Sequence, residues 1–256
     1  MQTHDLDGRV AVVIGSADGI GLASARALAA RKAIVVLADI DGAAATSAAS
    51  SIEQEGGKAM AYAVDASVVS ELEALFAFIS EQYGKLNILF SSVGSSGPDG
   101  IEVTEASFDR LISLNLKSHF FATQFALPLL RCSAPHASVI LMSSTAALRA
   151  NRRSPLYSIS KAAVVMMARS LAKTLGHEGV RVNAVCPGHV ATAFPQRWLG
   201  LDDDAYGTMM ERSAADIPLG RVGRPEDVAE TVAFLASDQS SYLTGLAIPI
   251  DGGSTA

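Results

Sequence analysis

Cysteine is almost missing from this chain. Cys132 and Cys186 are the only two in 256 residues, and they form no CxxC pattern. A disulfide framework and a thiolate zinc site are therefore not expected, and both thiols read as buried packing residues in a reducing cytoplasm. The five histidines (His4, His119, His136, His177 and His189) are scattered, with no pair at metal-ligand spacing, so no metal site is expected either. Long apolar runs are missing too. Although 49% of the residues are hydrophobic, the longest unbroken apolar stretch is the seven residues from Ala162 to Ala168, against the roughly 20 that a membrane-crossing helix needs. The first residues, MQTHDLDGRV, have neither the basic start nor the apolar core of a secretory signal, and a soluble cytoplasmic protein is the expectation. Positive charge is also short: 20 Lys and Arg against 26 Asp and Glu leave a net charge of −6. A phosphate-backbone surface needs concentrated cations, so nucleic acid is excluded as the main partner and a small molecule is expected instead. Only RANRR, Arg149 to Arg153, concentrates positive charge, and its ordinary role is a solvated loop.

What the sequence has in abundance is alternation. Short β-branched runs near 9–14, 34–39, 58–64, 87–91, 137–142, 180–185 and 246–250 are separated by alanine-rich or amphipathic segments. Helices are expected at 19–31, 42–55, 68–83, 105–131, 156–176 and 225–237. This is the pattern of repeated βαβ units, which implies a parallel sheet with helices on both faces. No Pro/Gly/Ser-rich linker or short repeat divides the chain, so a single α/β domain over 1–256 is expected. The pattern breaks at 193–220, where Trp198, Leu199, Met209 and Met210 mix with polar residues. An insertion after a strand's carboxyl end sits where such sheets bind ligands and is read as a substrate lid. The segments 108–130 and 162–172 are apolar nearly all round, more than one buried stripe requires. A homo-oligomer interface would cover the surplus.

The first βα turn, in RVAVVIGSADGIGLASARALA, carries Gly15, Gly19 and Gly21. Glycines there allow a tight turn and close approach of a pyrophosphate to a helix N-terminus. Such glycines also punctuate ordinary turns, but IVVLAD supplies a second strand ending in Asp39, 24 residues after Gly15. An acid at that place can accept the adenosine ribose hydroxyls and would repel a 2′-phosphate. Asp18 within the turn adds to that bias, so NAD is expected over NADP. Arg31 and Lys32 complement the dipole at the end of the first helix. Asp65 could receive an adenine amino group or cap the next helix.

LYSISKAAVVMM sets Tyr157 and Lys161 at i and i+4, on one face of a helix. Thirteen residues earlier, Ser144 ends the apolar strand SVILMSS, at the carboxyl edge of the sheet. With these residues in place, the sequence resembles the short-chain dehydrogenase/reductase family along essentially its whole length. The resemblance takes in Gly15, Gly19 and Gly21, Asp39, Asp65, Asn115 in LISLNLKSHFF, Ser144, Tyr157 and Lys161. It continues through RVNAVCPGHVAT, residues 181–192, and PEDVAETVAFLASDQSSYLTG to the terminal DGG. It implies a seven-stranded doubly wound Rossmann fold, a tetrameric assembly and an NAD-dependent oxidoreductase acting on a secondary alcohol or ketone.

The implied catalytic residues are Asn115, Ser144, Tyr157 and Lys161. Tyr157 would be the general acid/base, its phenol pKa lowered by Lys161 and the oxidised nicotinamide. Lys161 would also grip the nicotinamide ribose, Ser144 would hydrogen-bond the substrate oxygen, and Asn115 would hold a water of a proton relay. The implied cofactor contacts add Asp18, Ile20, Ala66, Ser92, Gly94, Pro187, Gly188, Val190 and Thr192. By the same analogy 94–99, 145–154 and 189–215 would line the substrate pocket, where Arg149, Arg152 or Arg153 could clamp an anion. One departure stands out. Ser91-Ser92-Val93-Gly94 replaces the family's usual Asn-Asn-Ala-Gly, and with no nucleophile elbow or sequence-adjacent histidine the serines read as cofactor floor with a weakened cross-link. A non-catalytic dinucleotide-binding regulator is the rival reading.

Overall fold

In the computed structural model, residues 6–150, 153–193, 196 and 200–256 are described. Seven parallel strands form one sheet in the order β3-β2-β1-β4-β5-β6-β7. They are β1 Val10–Ile14, β2 Ile34–Asp39, β3 Lys58–Ala63, β4 Ile88–Ser91, β5 Ala137–Met142, β6 Val180–Pro187 and β7 Ala247–Ile250. Each expected strand is present, and the sheet is the doubly wound Rossmann arrangement. The strand order reverses between β1 and β4, so the loops at their carboxyl ends part there and open a crevice.

Alternation along the strands builds two cores. Val10, Val12, Ile14, Leu89, Val139 and Val182 face α3 (Val69–Tyr83), α5 (Ser118–Arg131) and α6 (Pro155–Leu175). Ala11, Val13, Val35, Ile88, Phe90 and Ile140 face α1 (Gly19–Ala30), α2 (Gly42–Gln54) and the last helix, α8 (Pro225–Ala236). The central strands β1, β4, β5 and β6 are buried along their full lengths, which is why their sequences read as continuous apolar runs rather than alternating ones.

The single helix expected at 105–131 is three pieces: α4 Glu105–Ile112, a π-helical turn at Ser113–Lys117, and α5. A π turn adds one residue to the helical repeat, and nothing in ISLNLK marks it as Pro or Gly would. Within 193–220 lies the helix α7 Asp203–Ala215, capped by Asp202 accepting from Ala205 N at 2.8 Å. Trp198 and Leu199 lie outside the described residues. Cys186 is fully buried as expected, but Cys132 is exposed, because it follows the end of α5, where its thiol donates to the Pro128 carbonyl.

Candidate active site

A cleft of about 1730 Å³ opens at the carboxyl edge of the sheet. That exceeds the ~300–1,000 Å³ typical of pockets for small ligands, leaving room for a dinucleotide and a substrate together. Every sequence-nominated cofactor residue lines it: Gly15, Asp18, Gly19, Ile20 and Gly21 after β1, Asp39, Asp65 and Ala66, Ser92 and Gly94, and Pro187, Gly188, Val190 and Thr192 after β6. Ser144, Tyr157 and Lys161 line it too, while Asn115 is buried behind the wall.

The glycine turn is built for close backbone approach. A Cβ on Gly21 would stand 1.8 Å from the Gly15 carbonyl oxygen, and one on Gly15, whose φ is +79°, would press at 3.2 Å on the Ser92–Val93 backbone. Asp39 reaches into this turn: one carboxylate oxygen accepts from Ala17 N at 2.8 Å and the other from Asp41 N at 3.0 Å. Each oxygen can accept a second bond, so the carboxylate both shapes the turn and faces the cleft. Asp18 occupies the N-cap position of α1 without capping through its side chain. Asp65 accepts from Ser67 N and Ser67 Oγ, a local turn that precedes α3, whose N-cap is Val68. These features fit a pyrophosphate and an adenosine ribose.

At the other end of the cleft, Ser144 follows β5, and its Oγ accepts from Ala146 N at 3.1 Å. Tyr157 and Lys161 project from α6, as their spacing required, with the ammonium 5.9 Å from the phenol ring centroid. Lys161 Nζ donates to the Met142 carbonyl at 3.0 Å. A Cβ on Gly94 would lie 2.9 Å from that nitrogen, so glycine there leaves the ammonium its space. Asn115, in the π turn, accepts from Ser95 N at 2.7 Å and donates to Ser95 O at 2.7 Å and to Ser160 Oγ at 3.1 Å.

The electrostatics differ from expectation at Tyr157. Burial pushes its phenol above the ordinary value, and the Ser144 hydroxyl only partly offsets this. Lys161 is itself short of solvation, and its pKa falls to about 8, mainly through burial. That burial has a measurable cost. Between pH 8 and 10.5 the unfolded chain holds the lysine proton more tightly than the folded one, so this group's penalty is full below pH 8 and fades as pH rises. Lys161→Met is therefore expected to gain stability relative to wild type most at pH 6–8, by on the order of 3 kcal/mol less the lost Met142 bond. Urea titrations at several pH values would show that advantage shrinking toward pH 10.5; a constant or growing difference would refute it.

The family model described as enoyl-(acyl carrier protein) reductase matches residues 15–255. The chain belongs to the short-chain dehydrogenase/reductase family. Curated relatives of similar length agree. A 4-formylbenzenesulfonate dehydrogenase of Comamonas testosteroni is 37% identical over 97% of this chain and 98% of its own. A cis-4-hydroxycyclohexanecarboxylate dehydrogenase of Sinomonas cyclohexanicum is 36% identical, with 97% of each chain covered. A meso-2,3-butanediol dehydrogenase of Serratia marcescens is 35% identical, covering 98% of this chain and 96% of its own. The crystal structure of gox2181 superposes with a TM-score of 0.89 at 32% identity, covering 98% of this chain and 97% of that one.

Short-chain dehydrogenase/reductases are oxidoreductases that use a nicotinamide dinucleotide, and further residues brace the catalytic side chains. Ser143 Oγ donates to the Lys161 carbonyl at 2.8 Å, fixing α6 to β5. Ser160 and Ser95 take up the Asn115 amide. Being serines next to nominated residues, they carried no spacing signal of their own. Among the arginines, Arg153 pairs with Asp99 at 2.7 Å, Arg149 reaches the Ser254 carbonyl at 3.5 Å, and Arg152 lies outside the described residues. Arg149 and Arg153 line the cleft, joined by Arg212 of α7. Tyr206 of α7 donates to the Thr192 carbonyl at 3.0 Å, tying that helix to the strand-end segment. Among the described residues no cluster of His, Cys, Asp or Glu could hold a metal, and no helix is long and apolar enough to cross a membrane.

Proposed function

We propose that this short-chain dehydrogenase/reductase moves a hydride between NAD(H) and a secondary alcohol or ketone, with Tyr157 as general acid/base. The reading is carried by one observation: the Ser144 hydroxyl, the Tyr157 phenol and the Lys161 ammonium line the same cleft as the glycine turn and Asp39. The nicotinamide supplies the hydride acceptor or donor. Ser144 holds the substrate oxygen and orients it toward Tyr157, whose phenol takes the hydroxyl proton in oxidation and returns it in reduction. Lys161, fixed by the Met142 carbonyl, presents positive charge behind the phenol and donors toward the nicotinamide ribose. Both Asn115 amide protons are committed, to Ser95 and Ser160, and its Oδ1, which accepts from Ser95 N, keeps a second lone pair with which to hold a relay water. Ile40, 72% exposed beside Asp39, offers an apolar surface to the adenine.

The relatives' names span a sulfonated aromatic aldehyde, a cyclic hydroxy acid and a diol. A panel of secondary alcohols, hydroxy acids, sugars and their ketones, followed by NADH absorbance, tests the reading. Dinucleotide binding with no turnover on any of them would favour a regulator instead. NAD preference rests on the Asp39 carboxylate repelling a 2′-phosphate. Asp39→Ala is expected to cut the NAD-over-NADP ratio of kcat/KM by about tenfold or more, the scale of one close charge repulsion. An unchanged ratio would reject that role.

Support for assembly comes from the outer faces of α5 and α6, where Phe120, Ile159 and Met166 are 46%, 61% and 57% exposed. We assign this surface to a second copy of the chain within a homotetramer. Sedimentation should give about four times the 26.6 kDa chain mass, and a monomer would overturn the assignment.

A further inference from the structure

Ser91 is the last residue of β4, and the pleat turns it away from the cleft, onto the side of Leu89. Of the two serines expected to form cofactor floor, Ser92 lines the cleft and Ser91 does not. Ser91 is completely buried, and its Oγ lies 2.6 Å from Nδ1 of His119 on α5, which is completely buried as well. No histidine is near Ser91 in sequence, but the fold brings one across 28 residues.

His119 stands four residues after Asn115. Asn115 grips both backbone groups of Ser95, and His119 grips the side chain of Ser91. Between these two attachments the chain runs through Ser92, Val93 and Gly94, all on the cleft wall. This short span touches both halves of the site. The Gly15 turn rests against Ser92 and Val93, and Gly94 sets the clearance of the Lys161 ammonium. A shift of a few tenths of an ångström in the span would narrow the glycine turn at one end or crowd Lys161 at the other.

The ring is suited to a fixed, uncharged role. Burial first and the nearby Lys161 charge second hold its pKa well below the ordinary 6.5, with the Val93 backbone opposing weakly. A neutral imidazole can hydrogen-bond the Ser91 hydroxyl through Nδ1 in either tautomer, because the hydroxyl both donates and accepts, and among the described residues Nε2 has no hydrogen-bond partner.

We propose that Ser91 and His119 are positioning residues for the dinucleotide, holding the floor Ser92–Gly94 from behind while Asn115 holds its far end. This rests on the nicotinamide-dinucleotide reading above. The pair performs the cross-linking that the sequence assigned to missing asparagine amides, using a hydroxyl and an imidazole instead.

The test is NADH binding by fluorescence titration, with thermal unfolding run in parallel, on wild type, Ser91→Ala, His119→Ala and the double variant. Each single change is expected to raise the NADH Kd by about tenfold, and the double variant by about the same tenfold rather than about a hundredfold. His119→Asn keeps a polar atom near the Nδ1 place and should bind NADH within about twofold of wild type, while His119→Gln, which matches Nε2 instead, should behave like the alanine variant. These two also keep the test open should an alanine variant fail to fold. Lower melting temperatures with an unchanged Kd would show a packing role only and overturn the proposal, as would multiplicative effects or equal behaviour of the Asn and Gln variants. Wild-type protein binding neither NADH nor NADPH would instead overturn the cofactor reading beneath it.

Discussion

With phenylalanine in place of Tyr157, turnover is expected to fall by between about 10² and 10⁴-fold, the range general acid–base catalysis supplies. NADH should still bind within about twofold. The change deletes one oxygen and leaves the ring, so the packing of α6 on β5 and β6 is kept. What disappears is the only phenol on this part of the cleft wall, the one whose pKa responds to the Ser144 hydroxyl. Lys161 does not substitute for it, because its nitrogen is held by the Met142 carbonyl, 5.9 Å from the phenol ring centroid. Single-turnover measurements with saturating NADH separate the two quantities. Residual activity above about a tenth of wild type would remove Tyr157 from the acid/base role, since that loss is smaller than the role requires.

An equally large effect, on binding rather than chemistry, is expected at Gly21. The alanine methyl would have to occupy a point 1.8 Å from the Gly15 carbonyl oxygen, a backbone atom that no rotamer change can move aside. The N-terminus of α1 must therefore lift away from the turn. Overpacking of this kind costs roughly 3 kcal/mol, a melting decrease of roughly 6–12 °C for a chain of this size. NADH affinity should drop by about 100-fold, because the pyrophosphate relies on the donors of that helix end. Gly207→Ala is the matched control. Nothing lies within 4 Å of its added methyl, and within α7 the change should be neutral or slightly stabilising. If Gly21→Ala binds NADH normally, the close approach is not what the site depends on.

Much of this was legible from local pattern. Strands announced themselves as β-branched runs, and Tyr157 with Lys161 reached one cleft because a helix puts i and i+4 on one face. Asp39 was placed by the end of its strand. What stayed hidden depended on contacts far apart in sequence or on a balance of opposing effects. The Ser91–His119 contact joins a strand to a helix across the sheet-to-helix interface, and neither residue type signals its partner. The Tyr157 pKa runs against the expectation because burial raises it by more than the Ser144 hydroxyl lowers it, and how far a cleft residue is buried is not written in the residues around it. Cys132 was misread because a residue just past a helix end can face either way. The π turn was invisible for another reason: adding a residue to a helix leaves its composition unchanged.

That turn also bears on which length changes the chain can tolerate. An α-helix turns about 100° per residue. Deleting one residue from Ser113–Lys117 would let α4 and α5 merge into a regular helix, which local backbone energetics would favour. A π turn takes one more residue than an α turn to come round, so the two flanks would keep their facing, and Leu111 and Ala122 could both stay in the core. The change would fall on the turn itself, where Asn115 takes its place against Ser95. A single-residue deletion there is expected to keep the fold and to disturb the cleft wall.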